Sequence, residues 1–316
     1  MSAFSNIDLS KLPLPDAIDE LDPEAIFQRM KDRLAVSAPE LARVLELESE
    51  PTAKALQEVA YLAYVCRQEH NDDVRAQHLA TALGSDLDAL GSYLGVARFT
   101  LQEADPDAIP PFPEVLESDA AFRRRIQLAP EAFSNAGSKG AYTFHALGAD
   151  AELKDVSVKR GQPGEVIITV LSNDADGTPS AGALTAVEET CNGETIRPIS
   201  DNLTVQAATI VPVSIDATLT FEDGPDRALV MAAAGAELAL YLVKQQSIGR
   251  DVTRAGIIAA LYQPGVSNVM LAAPAADIVI SDEEAPYTDP ANDVSLTDGG
   301  VNVCSAHPSA TQCNAC

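Results

Sequence analysis

Apolar residues recur first at helical and later at strand spacing, and the change falls near Asp150. From Pro23, which suits a first helical turn, Ile26, Phe27, Met30 and Leu34 share a helical face, and Glu24 sits where the helix dipole favours an acid. A second helix is expected from Pro39, carrying Leu41, Val44, Leu45 and Leu47. A third is expected from Glu50-Pro51 to about His70, with Leu56, Val59, Ala60, Ala63 and Cys66 as its buried stripe. Cys66 reads there as a small hydrophobe, and His70 and His78 read as surface residues flanking a polar Asn-Asp-Asp-Val-Arg segment. Gly84 then ends one helix, Ser85 or Asp86 caps the next, and Leu87, Leu90, Tyr93 and Leu94 pack before Gly95 terminates it.

Ser118 can cap a helix running through Leu128, with Phe122, Ile126 and Ala129 inward and Arg123 and Arg124 mostly outward. Ala136-Gly137-Ser138 marks a turn, followed by a short helix from Ala141 to Leu147 with Ser138 as its cap. Beyond Asp150, Val156 to Val158 and Glu165 to Leu171 read as strands, with a turn at Asn173 to Gly177 and a helix from Ser180 to Cys191. After a loop holding Arg197-Pro198, Thr209 to Phe221 alternates as a strand pair or one bent strand, with Val211, Val213, Ile215, Ala217, Leu219 and Phe221 on one side. A long helix from Pro225 to Gln246, a shorter one from Thr253 to Leu261, and strands at Val266 to Leu271 and Asp277 to Ile280 complete the pattern.

The expected fold class is α+β, a helical N-terminal region followed by small α+β domains. The expected division is an extended arm (1–22), a helical domain (23–98), a Pro-rich linker (99–116), a helical joint (117–150), two α+β domains (151–220 and 221–300) and a Cys-containing tail (301–316). Pro13, Pro15 and Pro23 keep the arm from forming a long helix, so it either lies on a neighbour or is disordered.

Charge narrows the function classes. A net charge of −26 and a pI near 4.3 argue against nucleic acid as a partner, because phosphate contacts need basic surfaces. Past Arg254 there is no Lys or Arg, while seven Asp or Glu follow, so the C-terminal strands form an acidic region. No apolar run reaches the roughly 18 residues needed to cross a bilayer, and the acidic N-terminus is unlike a secretion signal, so no membrane partner is expected. With no Trp and 5% aromatics, the core rests on Ala, Leu, Val and Ile, and carbohydrate stacking has little to work with.

Candidate chemistry is sparse. There is no dinucleotide loop, phosphate loop, nucleophile elbow or two-histidine zinc helix, and no cofactor is expected. Arg123, Arg124 and Arg125, with Ser138, Lys139 and His145, admit a hydrolase or anion-binding site. Consecutive helical residues point in three directions, however, and Ser138 and His145 are about 10 Å apart in helical rise. A salt-bridged or partner-binding surface is the stronger reading of the three arginines. In the tail, Cys304, Cys313 and Cys316 are disulfide candidates. Together with His307 they have spacing zinc would accept, and an unpaired flexible tail is the third reading.

The stretch from Glu117 to Asp150 resembles the baseplate J proteins of contractile-tailed bacteriophages. These carry a Glu-Ser-Asp-x-x-Phe-Arg-x-Arg-Ile helix followed by an Ala-Gly-Ser-x-x-Ala-Tyr turn and helix. Glu117, Ser118, Asp119, Phe122, Arg123, Arg125 and Ile126 match the first, and Ala136, Gly137, Ser138, Ala141, Tyr142 and Ala146 match the second. The run Leu87-Asp88-x-Leu90-Gly91-x3-Gly95-x2-Arg98, and Arg197-Pro198 with Asp201, are also similar to the family. The resemblance implies a structural wedge protein of the virion tail baseplate, with no catalytic residues, made in the host cytoplasm. Its implied partners are a second copy of itself, a smaller baseplate wedge protein, the sheath initiator and the central hub. The cysteine tail has no counterpart in that pattern.

Overall fold

The computed structural model describes residues 7–301 except 48, 135, 136, 174, 175 and 225, so the tail cysteines and His307 lie outside the described residues. The chain divides into two units, Met1–Pro130 and Glu131–Cys316. The boundary falls inside the expected 117–150 joint.

In the first unit the described part of the arm, from Ile7, lies on its own chain. Asp19 N–H donates to Asn71 Oδ1 at 3.0 Å and Asn71 Nδ2 donates back to the Asp19 carbonyl at 2.9 Å, while Gln127 Nε2 donates to the Ile7 carbonyl at 3.0 Å. Helix α1 (Pro23–Ser37) is capped by Asp22, whose Oδ1 accepts from Glu24 N–H, and packs against α2 (Pro51–Ala76). The second helix expected from Pro39 is reduced to one 3-10 turn, Pro39–Leu41, followed by turns. The third runs past His70, because Asn71 is buried facing the arm and Asp72 is held by Gln68 and Arg75 on the solvent side. Its polar segment therefore costs no helical bonds. Cys66 is exposed, not buried, since the face packed in this unit carries Ala53, Ala60 and Asn71.

Helix α3 (Gly84–Ser92) has no cap from Ser85 or Asp86. Asp119 supplies one from a distance, its Oδ2 accepting from Gly84 N–H at 3.1 Å. Leu87 is buried, whereas Tyr93, expected to pack, is exposed. The Pro-rich segment returns on itself: β1 (Thr100–Gln102) pairs antiparallel with β2 (Val115–Leu116), and Asp105 bridges Phe112. Helix α4 (Asp119–Leu128) starts at Ser118, whose Oγ accepts from Ala121 N–H, and buries Phe122, Arg125, Ile126 and Leu128.

The second unit begins with α5 (Lys139–Leu147), capped by Ser138. Strands β3 (Leu153–Arg160) and β4 (Glu165–Ser172) are antiparallel. A crossover through α6 (Ala181–Cys191) brings β5 (Asn202–Ala207) parallel to β4, giving the order β3-β4-β5. Thr209 to Phe221 is two strands in different sheets: β6 (Thr209–Pro212) and β7 (Ile215–Phe221). In β7 the expected alternation holds, with Ile215, Ala217, Leu219 and Phe221 buried. Helices α7 (Arg227–Gln245) and α8 (Arg254–Leu261) cover it, contributing Val230, Ala234, Leu238, Ile257 and Leu261 to one core. β7 is central between β8 (Val266–Ala273, antiparallel) and β10 (Val294–Val301, parallel), while β9 (Glu284–Tyr287) pairs parallel with β6. The strand expected at Asp277 to Ile280 is only a bridge between Val252 and Ile278. Helices and mixed sheets segregated along the chain make the fold α+β.

Candidate assembly surfaces

The arginines are best read outward from Arg98. Its Nε donates to Asp88 Oδ1 at 2.7 Å, its Nη1 reaches the Glu117 carbonyl and Asp119 Oδ1 at 2.7 Å each, and its guanidinium lies 4.7 Å from the Phe122 ring centre. Burial raises the Asp119 pKa, but the Gly84 amide and Arg98 outweigh it and hold the carboxyl below the usual range. Arg125 sits on the buried face of α4. It clamps Glu117 with Nε to Oε1 at 2.9 Å and Nη2 to Oε2 at 2.6 Å, donates to the Ala97 carbonyl, and stacks 4.1 Å over Phe99.

Arg123, expected to face outward, folds back. Its Nε and Nη2 donate to the carbonyls of Leu79 and Ala82 at 2.7 and 2.6 Å, satisfying the loop before α3. Arg124 is half-buried. Sequence adjacency thus brings no three-arginine anion site together. Two of these arginines and Arg98 fasten α3, the preceding loop and α4 to one another.

In the second unit Ser138 Oγ accepts from Ala141 N–H at 3.2 Å as the α5 cap, and His145 lies in the last turn of α5. Seven residues of helix separate them by about 10 Å of rise, beyond proton-transfer reach. Burial lowers the His145 pKa, and the ring meets Phe144 edge-on at 5.4 Å. Ser138 and His145 therefore form no nucleophile and base couple within the second unit, and in the first unit Arg123 is engaged on two backbone carbonyls. Among the described residues no group of three His, Cys, Asp or Glu could hold a metal.

The turn before α5 has a different use. Tyr142 is buried and donates from its hydroxyl to Asp201 Oδ2 at 3.0 Å; burial and that neighbour push its pKa up. Gly137 has φ +69°, and a Cβ there would come 2.7 Å from Asp201 Oδ2 and 2.9 Å from Pro198 Cγ. The Gly-Ser turn, the Tyr and the Arg-Pro-x-x-Asp loop therefore form one latch between α5 and the start of β5. A neighbouring cleft of about 430 Å³ gathers Lys139, Lys159 and Arg160 with Glu165 and Asp201, so its charge is mixed.

Sequence reasoning overlooked two apolar surfaces. On α2, Val59, Leu62 and Cys66 are exposed at spacings of three and four, beside Tyr61. On α7, Leu229 is 71% exposed, Leu240 64% and Val243 63%, although the opposite face is core. The signal was present as apolar residues on more than one face of each helix, which a single buried stripe does not need.

Three successive segments of the chain match three family domains: the Baseplate J-like N-terminal domain over residues 48–105, the central domain over 134–207 and the C-terminal domain over 213–288. The chain is also 44% identical over 286 residues to baseplate protein J of Escherichia phage P2, a match spanning 89% of this chain and 95% of the relative. The chain belongs to the baseplate J-like family. That is a family of phage baseplate structural proteins, so the chain is not an enzyme. It is also similar to a chain in the cryo-EM structure of the anti-feeding prophage (AFP) baseplate, 6-fold symmetrised. That likeness has 15% identity and a TM-score of 0.36, and covers 57% of this chain and 43% of the other. The baseplate J-like pattern noted in the sequence now has physical content: Glu117, Asp119, Arg123 and Arg125 fasten α4 to α3 and the loops around it, and Gly137, Ser138, Tyr142 and Asp201 form the latch between α5 and the start of β5.

Proposed function

We propose that this protein is a structural wedge component of a contractile phage tail baseplate. In this reading two copies join one smaller wedge protein, the wedges close into a ring around the central hub, and the ring contacts the sheath initiator. Its rearrangement on host contact releases sheath contraction and genome delivery. The observation that carries the reading is the 44% identity sustained over 95% of the P2 baseplate protein.

The site chemistry agrees with a contact role. The conspicuous polar clusters are turned to internal fastening, and the apolar faces of α2 and α7 are open, as surfaces buried on assembly are. Co-expression with the neighbouring tail proteins, followed by native mass spectrometry and negative-stain microscopy, tests the proposal. A discrete complex of fixed stoichiometry that closes into rings is expected; a chain that stays alone with every neighbour present overturns it.

A further inference from the structure

The outer face of α7 is apolar over its whole length. At 100° per residue, Leu229, Ala232, Ala233, Ala236, Ala239, Leu240 and Val243 fall within about 60° of one line. All seven are exposed, and none is charged. Glu237 and Lys244 lie to one side of the stripe, while Val230, Ala234 and Leu238 point into the core. Resting on the baseplate reading, we infer that this face packs antiparallel against the same face of a second copy of the chain, about a two-fold axis at Ala236.

The order of side-chain sizes supports that occupant. About such an axis Ala236 meets Ala236 of the second copy, Leu240 comes level with the small residues Ala232 and Ala233, and Leu229 comes level with Val243. Bulk opposes small side chains in the middle, which lets the helices approach closely, and larger side chains meet at both ends. Charge agrees in direction. The helix is led by Glu222, Asp223 and Asp226, with its first residue Arg227 paired to Asp298, and ends with Lys244, followed by Arg250 and Asp251. Antiparallel pairing puts each acidic lead beside the other copy's basic end, whereas parallel pairing would put the acidic leads together. A lipid surface fits poorly, since the helix brings few cations in a chain of net charge −26.

A seam from Leu229 to Val243, about 21 Å long, buries less than the roughly 1,200–2,000 Å² of a stable free-standing interface. Pairing is accordingly weak for the isolated chain and strengthened where an assembly holds two copies close. A trapping experiment suits this range. In full-length protein with Cys66, Cys304, Cys313 and Cys316 changed to Ser, Ala236→Cys is compared with Glu237→Cys, using a short bis-maleimide. The proposal requires Ala236→Cys to form covalent dimer at least about tenfold faster, and requires added Leu240→Glu to return it to the Glu237→Cys rate, with circular dichroism unchanged. Equal rates at the two positions, or a rate indifferent to Leu240→Glu, overturn it. So does flotation of the chain with neutral or anionic liposomes that Leu240→Glu abolishes. Failure to cross-link in a chain that still enters a baseplate complex removes this interface alone and leaves the baseplate reading intact.

Discussion

Arg125 and Glu117 form a two-pronged ion pair with side chains only 8% and 9% exposed, roofed by Phe99 and bonded to the Ala97 carbonyl. Removing one member strands the other charge away from water. Arg125→Met should therefore destabilise the first unit by about 3–5 kcal/mol, and the double change Arg125→Met with Glu117→Leu should recover much of that loss. Urea unfolding of the full chain, followed by probes in each unit, measures both. Equal stability of the single and double variants would contradict the account.

At Gly137 both backbone and space are demanding. Gly137→Ala should cost roughly 1–3 kcal/mol for the left-handed backbone and more for the clash with Asp201 and Pro198. Gly95, at φ +70° with nothing within 4 Å of an added Cβ, separates the two contributions. Thermal denaturation should rank Gly137→Ala below Gly95→Ala, and Tyr142→Phe should shrink the difference by releasing Asp201.

Tyr241 presents the opposite case. Its hydroxyl is buried without a hydrogen-bond partner among the described residues, and a Cβ on Gly256 would collide with that oxygen. Tyr241→Phe should be neutral or stabilising by up to about 1 kcal/mol, since it deletes an unsatisfied polar group. A loss of comparable size in chemical denaturation would show that the hydroxyl is satisfied in solution.

Acid should loosen two carboxylate anchors. Burial acts to raise Glu152, but Ser180 Oγ and N–H, each at 2.7 Å, outweigh it and leave the carboxyl below its ordinary range; Asp119 is lowered by Gly84 and Arg98. A depressed folded-state value means that the stabilisation is complete above the unfolded value near 4 and is lost as pH falls through the folded one. Stability should be flat from neutral to mildly acidic pH and then drop. Glu152→Gln and Asp119→Asn should each flatten that drop, as read by midpoint against pH.

Local signals were legible wherever one element decided its own fate. The Ser118 and Ser138 caps, the helix following Ser180 and the alternation through β7 are all short-range, and each is where the spacing put it. Features set by distant partners were not legible. β10 contains Asp298, Gly299 and Gly300 and is a strand because β7 offers it a parallel edge; β9 depends on β6 in the same way. The cap of α3 comes from Asp119, 35 positions away. Arg123 departs from its expected outward face because helical spacing places a guanidinium on a face but does not say which carbonyls lie within reach. Cys66 misled because α2 has two apolar faces, only one of them covered in this unit.

The parallel pairing of β7 with β10 also governs when the second unit can exist. β7, α7, α8 and β8 leave the ribosome as a set able to collapse around Phe221, yet one edge of β7 stays unmatched until Val294–Val301 emerges. At roughly 5–20 residues per second, several seconds of synthesis separate the two strands, during which a bare central strand and an uncovered apolar helix coexist on one nascent chain. Copies translated from one message are close neighbours in that interval. The same delay that risks mispairing therefore gives sister chains an opportunity to meet before either is complete.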